Sequence, residues 1–270
     1  HKLNGTTFKY LHNDINSLKK NLERAEKAIQ KTNGSILVIT EGVFGMAGDL
    51  GKLKEICELK KKFSFRLFVD DAHGIGTMGE NGRGTGEYFG VQNEIDIYFG
   101  TFAKSFSSIG AFISSTKTVI DFLKYTTRSQ IFAKSLPMPI VIGALKRLDM
   151  IRNNPELKNN LWHITKLLQS GLKSQGFDLG KTESCVTPVW LEGGVTESTN
   201  LTFDLRENHG IFCSIVTYPV IPKGKIMLRL IPTAVHTKDD VNETIEAFTK
   251  VKDKLFSGKY ISEKIEKPIS

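Results

Sequence analysis

Short apolar runs alternate with helical stretches through the first half of the chain, and this alternation constrains the fold more than any other feature. Apolar spacing predicts a helix capped by Asn13 that ends near Asn33, and a second helix over residues 49–62. The strand-like runs are residues 35–40, 66–70, 95–100 and 111–114. Strands that alternate with helices predict an α/β fold with a mostly parallel sheet, covered by helices on both faces.

The second half of the chain predicts a smaller α+β domain. A helical region covers about residues 140–173 and breaks near Pro155. Strands are predicted at 186–191, 211–216 and 226–231, with helices at 198–207 and from Thr237, where Asp240 completes a variant capping box. We therefore predict a large domain over residues 1–137, connecting helices over 138–175 and a small domain over 176–270.

Composition narrows the class of protein. The net charge of +8 and the pI near 9.2 come largely from lysines within helical stretches, which is typical of a solvated helix face. Basic stretches lack the interleaved aromatic residues that stack on bases, so no nucleic-acid partner is expected. With three dispersed cysteines and no apolar run of about 20 residues, we expect a cytoplasmic globular protein without a disulfide frame or a metal site.

Polar side chains follow the second predicted strand. The segment Asp70-Asp71-Ala72-His73 delivers two carboxylates and an imidazole to the carboxyl end of this strand. Ligands bind at that end in open parallel sheets. A loop aspartate and a histidine bonded to backbone explain this segment equally well when it is taken alone.

The glycines that follow match a dinucleotide-binding pattern, GxGxxG, over residues 74–79. That fold needs a helix to begin inside the motif, but residues 80–86 are a succession of turn-forming residues. The pattern therefore indicates a loop that passes close to a bound ligand, and not a dinucleotide site.

Lys104 follows the third predicted strand and is flanked by small and hydroxylated residues. Partial burial would favour the neutral amine that Schiff-base chemistry requires. Thr101 and Ser105 offer hydroxyls to a phosphate. An ordinary surface-loop lysine is an equally good interpretation of this segment alone.

Taken together, these segments resemble the α-oxoamine synthases, a branch of the fold-type I pyridoxal-phosphate (PLP) enzymes, over essentially the whole chain. The matching motifs lie in the family's order. They are residues 40–49, with Glu41 where the family has aspartate, residues 70–73, residues 79–84, residues 100–104, and Arg229 followed by His236-Thr237.

The resemblance implies a role for each site residue. Asp70 would pair with the pyridine nitrogen of PLP, and His73 would bond its phenolic oxygen. Lys104 would form the Schiff base and then act as the base that removes the α-proton. Thr101 would bond the phosphate, and Arg229 would bind the substrate carboxylate through its planar fork. A strand arginine in a surface ion pair is the alternative for Arg229.

The chain departs from the family in three respects. The family's earlier glycine-rich segment and its stacking histidine would lie upstream of His1, so the resemblance implies a missing N-terminal part. Ala103 stands where many relatives have serine, and Ala133 where many have a hydroxyl residue. Both differences put side-chain contacts to the phosphate in doubt.

Within the family, residues 125–137 and 210–224 are most similar to bacterial serine palmitoyltransferases. This implies decarboxylative condensation of an amino acid, L-serine, with a long-chain acyl-CoA to a 3-keto sphingoid base, by a homodimer that contacts the membrane peripherally through its acyl substrate. Glycine C-acetyltransferase and 8-amino-7-oxononanoate synthase are the close alternatives. An aminotransferase and a non-catalytic partner subunit are the alternatives from other classes.

Overall fold

A computed structural model describes residues 5–262, and the chain divides into two compact units. The first unit consists of His1–Phe44 and Leu50–Pro155, and the second of Gly45–Asp49 and Glu156–Ser270. Residues 1–4 and 263–270, at the outer ends of the predicted large and small domains, lie outside the described range. The three-domain division remains a prediction.

The first unit is built on a four-stranded mixed sheet. Its strands are β1 (Leu37–Glu41), β2 (Arg66–Asp70), β3 (Ile97–Thr101) and β4 (Ala111–Ser115), which pair in that order. Strands β1 to β3 are parallel, and β4 runs antiparallel to β3. Glu41, Asp70 and Phe99 lie side by side in the register, so the parallel strands end at one edge. The predicted α/β class with a mostly parallel sheet is confirmed.

Six helices of the first unit surround or follow these strands. They are α1 (Ile15–Ile29), α2 (Leu53–Leu59), α3 (Thr85–Phe89), α4 (Lys117–Thr126), α5 (Arg128–Phe132) and α6 (Met138–Asn153). Leu22 of α1 and Leu53 of α2 are buried in one cluster with Leu67 of β2. Each such side chain contributes about 1.5–3 kcal/mol when it is fully buried. This cluster is the core of the first unit.

The N-cap of α1 differs from the prediction. Asp14, not Asn13, caps the helix, since its carboxylate accepts a hydrogen bond from the Ser17 amide at 2.9 Å. Asn13 instead reaches a distant segment: its side-chain amide donates to the Leu50 carbonyl at 2.9 Å, and its oxygen accepts from the Lys52 amide at 3.3 Å. This long-range contact is invisible in a local sequence pattern.

Helix α2 is shorter than predicted, because the residues before it are held in extended conformation. Val43 and Leu50 form a β-bridge, and the Gly51 amide donates to the Gly42 carbonyl at 2.8 Å. The helix therefore begins at Leu53 and not at residue 49.

One face of β1 is exposed within the described residues. Val38 is buried against α1 and α2, whereas Leu37 and Ile39 on the opposite face are 49% and 55% exposed. The prediction that helices cover both faces is wrong for this strand, since α1 and α2 both pack on the Val38 face.

The predicted break in the long helical region is confirmed. Helix α6 ends at Asn153, and the next helix, α7 (Pro155–Ser174), begins two residues later. Pro155 lacks the amide hydrogen that would continue α6, but it suits the first position of a new helix. No helix between residues 5 and 262 combines the length and apolar content that a membrane span requires.

The second unit contains an antiparallel sheet of strands β5 (Thr187–Glu192), β6 (Ser214–Val216) and β7 (Lys225–Leu230), in the order β5-β7-β6. With α7 it contains helices α8 (Val195–His209), α9 (Lys238–Phe256) and α10 (Lys259–Ser262). Strand β6 is shorter than the predicted 211–216. The capping box of Thr237 and Asp240 at the start of α9 is confirmed.

A buried carboxylate joins three helices of the second unit. Asp204 of α8 accepts hydrogen bonds from Lys254 of α9 at 2.8 Å, from the Tyr260 hydroxyl of α10 at 2.5 Å, and from Asn208 at 2.7 Å. Burial opposes ionisation of Asp204, but these hydrogen bonds outweigh it and lower the pKa of the carboxyl group. Asp204 is therefore most stable as a carboxylate in the folded unit.

Candidate active site

Asp70 ends β2 at the edge where the parallel strands terminate. Its backbone carbonyl accepts from the Gly42 amide at 2.8 Å, which joins it to the segment after β1. Its side chain is half-buried, and one carboxylate oxygen accepts from the Ala72 amide at 3.1 Å. The Asp70 carboxylate is thus fixed at this edge and partly accessible.

The neighbouring Asp71 points the other way and is fully buried. Its carboxylate accepts hydrogen bonds from the Thr85 amide, the Thr85 hydroxyl and the Tyr98 hydroxyl at 2.7, 2.9 and 2.9 Å. Desolvation by burial raises the pKa of Asp71, although these hydrogen bonds oppose the shift. Of the two aspartates, only Asp70 has a carboxylate that a ligand can reach.

His73 lies in the turn that follows, and it is half-buried. The Thr77 hydroxyl donates to the His73 carbonyl at 2.8 Å, and the Gly74 amide donates to the Asp71 carbonyl at 2.9 Å. No helix begins within residues 74–79, as predicted, and the next helix is α3. The dinucleotide pattern is therefore a series of turns.

The Lys104 loop contacts this turn directly. The Ser105 hydroxyl donates to the Ile75 carbonyl at 2.8 Å. A β-carbon added at Gly76 would lie 2.7 Å from Ser105, so only glycine permits this approach. The loop carrying Lys104 and the turn carrying His73 consequently lie together at the sheet edge.

Lys104 itself is exposed, so the predicted partial burial is wrong. The apolar anchor of its loop is Phe106, which is buried and packs edge-to-face on Phe102 with ring centroids 5.5 Å apart. Because Phe106 occupies the interior, the lysine two residues earlier lies on the outside of the loop.

The Thr101 hydroxyl already forms hydrogen bonds within the loop. Its hydroxyl donates to the Gly110 carbonyl at 3.1 Å and accepts from the Ala103 amide at 3.2 Å. Ser105, the other hydroxyl considered for a phosphate, donates to Ile75. A phosphate bound here would have to replace one of these hydrogen bonds or accept hydrogen bonds from backbone amides.

Arg229 belongs to the second unit and lies on β7 between Pro188 of β5 and Ser214 of β6. Its Nη1 donates to the Gly45 carbonyl at 2.8 Å, and its Nε is buried without a hydrogen-bond acceptor among the described residues. A buried donor without an acceptor costs about 1–3 kcal/mol. A bound carboxylate would supply the missing acceptor.

The sequence did not reveal the group around Asp71, although the glycine-rich stretch contained a signal for it. The close neighbour of Gly74 and Gly84 is Asp71, since an added β-carbon at either would lie 2.0 Å from its carboxylate. Gly74 belongs to the stretch that was predicted to pass close to a ligand, and it passes close to a buried side chain. Thr85 and Tyr98 were not predicted at all.

Comparison with known proteins assigns the family. A model of the class I and II aminotransferases matches residues 1–248. The chain belongs to the aminotransferase class I and II family. This family is PLP-dependent, and the predicted resemblance to α-oxoamine synthases within it is confirmed.

Three relatives illustrate the similarity. The chain is 58% identical over 256 residues to a cysteate-C-fatty acyltransferase from Capnocytophaga ochracea, covering 95% of this chain and 61% of the relative. It is 36% identical over 248 residues to a serine palmitoyltransferase from Bacteriovorax stolpii, covering 92% and 58%. A solved serine palmitoyltransferase from S. paucimobilis, with PLP and myriocin bound, has a TM-score of 0.84 and 30% sequence identity. The match covers 92% of this chain and 61% of that structure. The chain thus spans about three fifths of the length of these relatives.

Proposed function

We propose that the protein is a PLP-dependent C-acyltransferase that condenses a small polar amino acid with a fatty acyl-CoA, with loss of the amino acid's carboxylate as carbon dioxide. One observation carries the proposal. The Ser105–Ile75 hydrogen bond holds the Lys104 loop against the turn of His73, at the edge where β2 delivers Asp70. An amine, an imidazole and a carboxylate at one sheet edge are the donor set that PLP requires.

Asp70 and His73 would hold the cofactor ring. The accessible Asp70 carboxylate would accept a hydrogen bond from the protonated pyridine nitrogen, since an ionised acceptor favours the charged ring. His73 would bond the phenolic oxygen. When it is bound, PLP supplies an electron sink for the α-carbon of the amino acid.

Lys104 and Thr101 would serve the aldehyde and phosphate ends. An exposed lysine amine at the edge of the sheet is accessible for covalent attachment to the cofactor aldehyde, and afterwards for removal of the α-proton. Thr101 would turn its hydroxyl from Gly110 toward the phosphate.

Arg229 would bind the substrate carboxylate. The support is its buried Nε, which has no acceptor in the described part of the chain, while Nη1 is held by Gly45. That hydrogen bond fixes the plane of the guanidinium group, so a carboxylate would meet a pre-oriented fork.

The identity of the amino acid rests on the relatives. The motif resemblance favours serine, with a hydroxyl on the β-carbon. The 58% identity to a cysteate-C-fatty acyltransferase favours cysteate, with a sulfonate there. We propose cysteate as the first substrate to test and serine as the second, because the identity to the serine palmitoyltransferase from Bacteriovorax stolpii is 36%.

The remaining proposals concern location and assembly. We propose a homodimer in the cytoplasm that contacts membranes only peripherally, through its acyl substrate. Velocity sedimentation with and without anionic lipid vesicles tests both: a monomer would contradict the dimer, and tight binding to vesicles without acyl-CoA would contradict a purely substrate-driven contact.

The deciding experiment for the function is an assay of the complete protein, of which this chain is taken as part, purified with PLP. Cysteate, serine, glycine and alanine are each offered with acetyl-CoA and palmitoyl-CoA, and the release of free CoA thiol and of carbon dioxide is measured. We expect equimolar release of both with cysteate and palmitoyl-CoA. Preference for glycine with acetyl-CoA, or for alanine, would indicate one of the two close alternatives instead.

Two outcomes would contradict the proposal itself. A keto acid formed without CoA release would indicate an aminotransferase, and a protein that binds PLP but never turns over would indicate a non-catalytic subunit. Lys104→Ala should abolish the borohydride-reducible PLP adduct, whereas Lys117→Ala, at an exposed lysine on α4, should keep it.

A further inference from the structure

The carboxyl group of Asp71 is buried without a cationic partner in the described part of the chain. Its three hydrogen-bond donors are the amide and hydroxyl of Thr85 and the hydroxyl of Tyr98, all of which are neutral. No lysine, arginine or histidine forms an ion pair with Asp71 in the described part of the chain. A buried carboxylate without a counter-charge is costly, so an apolar side chain would suit a purely structural core better.

The surroundings of Asp71 are shaped to this carboxylate. A β-carbon added to Gly42, Gly74 or Gly84 would lie 2.1, 2.0 or 2.0 Å from one of its oxygens. Backbone from three separate segments therefore touches the same side chain, one after β1, one in the turn after β2, and one before α3. These approaches restrict the positions that the carboxylate can adopt.

The backbone of Asp71 closes the turn between the two proposed cofactor-binding residues. Its amide donates to the Phe99 carbonyl of β3 at 2.9 Å, and its carbonyl accepts from the amides of Gly74 and Ile75 at 2.9 and 3.0 Å. Asp70 precedes this anchored residue and His73 follows it by two positions. The directions of both side chains thus depend on how Asp71 is held.

We propose that Asp71 is a positioning residue, whose hydrogen bonds to Thr85 and Tyr98 fix the turn that aims Asp70 and His73 at the cofactor. This rests on the proposed function, since it concerns the same site. Asp71 is fully buried, so it would act through its neighbours and not by contact with the cofactor. Its effect would be large, because a displacement of about 1 Å in a catalytic arrangement can cost about 100-fold in rate.

Substitution of Asp71 by asparagine and by alanine tests whether its hydrogen bonds fix the turn. An asparagine oxygen can accept from the Thr85 amide and the Tyr98 hydroxyl, while its NH₂ donates to the Thr85 hydroxyl oxygen, so Asp71→Asn keeps three hydrogen bonds. Asp71→Ala keeps none. Tyr98→Phe removes a single donor and serves if the alanine variant does not fold, with the exposed Tyr88→Phe as its matched control.

Two measurements test whether Asp71 positions Asp70 and His73. Hydrogen exchange of the Gly74 and Ile75 amides reports the turn without cofactor, and PLP titration with the pH midpoint of its visible absorbance reports the site. For Asp71→Ala and Tyr98→Phe we expect exchange and PLP dissociation constants raised by about tenfold or more and a shifted midpoint. Asp71→Asn and Tyr88→Phe should stay within about twofold of wild type.

Three results would separate failure of the positioning role from failure of the proposed function. Wild-type affinity and midpoint in Asp71→Ala or Tyr98→Phe would overturn the positioning role, as would equal damage by Asp71→Asn and Asp71→Ala, since the charge and not the geometry would then matter. If the wild-type protein forms no reducible PLP adduct, the proposed function fails. In that case, the hydrogen exchange rates of the Gly74 and Ile75 amides still show whether Asp71 fixes the turn.

Discussion

Gly42→Ala should destabilise the first unit strongly, although it adds only one methyl group. The new β-carbon would lie 2.1 Å from the Asp71 carboxylate and 2.2 Å from the Thr85 hydroxyl oxygen, far inside van der Waals contact. Neither group can retreat, because Gly74 and Gly84 already touch the same carboxylate. We estimate about 2 kcal/mol for overpacking and a further ~2 kcal/mol for one lost hydrogen bond to a charged group.

A loss of about 4 kcal/mol corresponds to a fall of roughly 8–16 °C in the melting temperature of a unit of this size. Both tryptophans, Trp162 and Trp190, lie in the second unit. Tryptophan fluorescence therefore follows the second unit, while hydrogen exchange of the β1 and β2 amides follows the first. We expect rapid exchange in the first unit and little change in the fluorescence transition.

Gly5→Ala is the matched control, because an added β-carbon there meets nothing within 4 Å. It should leave the hydrogen exchange of the β1 and β2 amides close to that of wild type. If the β1 and β2 amides of Gly42→Ala exchange no faster than those of Gly5→Ala, the Asp71 carboxylate has room to move and the expected overpacking does not occur.

Three further predictions concern the second unit and the cysteines. Thr237→Ala removes the capping box and should lower the free energy of unfolding by about 1 kcal/mol in urea titrations followed by tryptophan fluorescence. Because the pKa of Asp204 is lowered on folding, its contribution to stability is complete above the unfolded pKa of about 4 and is lost as pH falls through the folded pKa. Asp204→Asn should therefore be less stable at pH 7 and should lack part of the acid destabilisation seen in the wild type. Burial raises the pKa of Cys57, Cys185 and Cys213 to about 11, so iodoacetamide should label them only after unfolding, and rapid native labelling would contradict their burial.

Patterns that depend on neighbours in the chain were read correctly from the sequence. Strand β2 has the predicted bounds, and the break at Pro155 and the capping box at Thr237 follow from backbone chemistry within four residues. These features need no knowledge of distant contacts. The same locality explains why the strand-end position of Asp70 was predictable.

Features fixed by distant residues were not predictable in this way. The Asn13 side chain donates a hydrogen bond to the Leu50 carbonyl, and Asp14 caps α1 instead. The loop of Lys104 is held by the hydrogen bond from Ser105 to the Ile75 carbonyl, 30 residues earlier in the chain, and Lys104 is exposed on it. The side-chain roles in the site remain predictions, because they depend on groups that bind there.

The strand order of the second unit has a consequence for how the protein is made. Strand β7 lies between β5 and β6 and is the last of the three in the chain, so neither of the other two can pair with its neighbouring strand until β7 has been synthesised. In the first unit each strand pairs with the one before it, so pairing can proceed as the chain emerges. Domains fold as units during synthesis, at about 5–20 residues per second. Nascent chains that pause before residue 225 would therefore carry β5 and β6 without the strand that joins them, and open strand edges of this kind can pair with other chains.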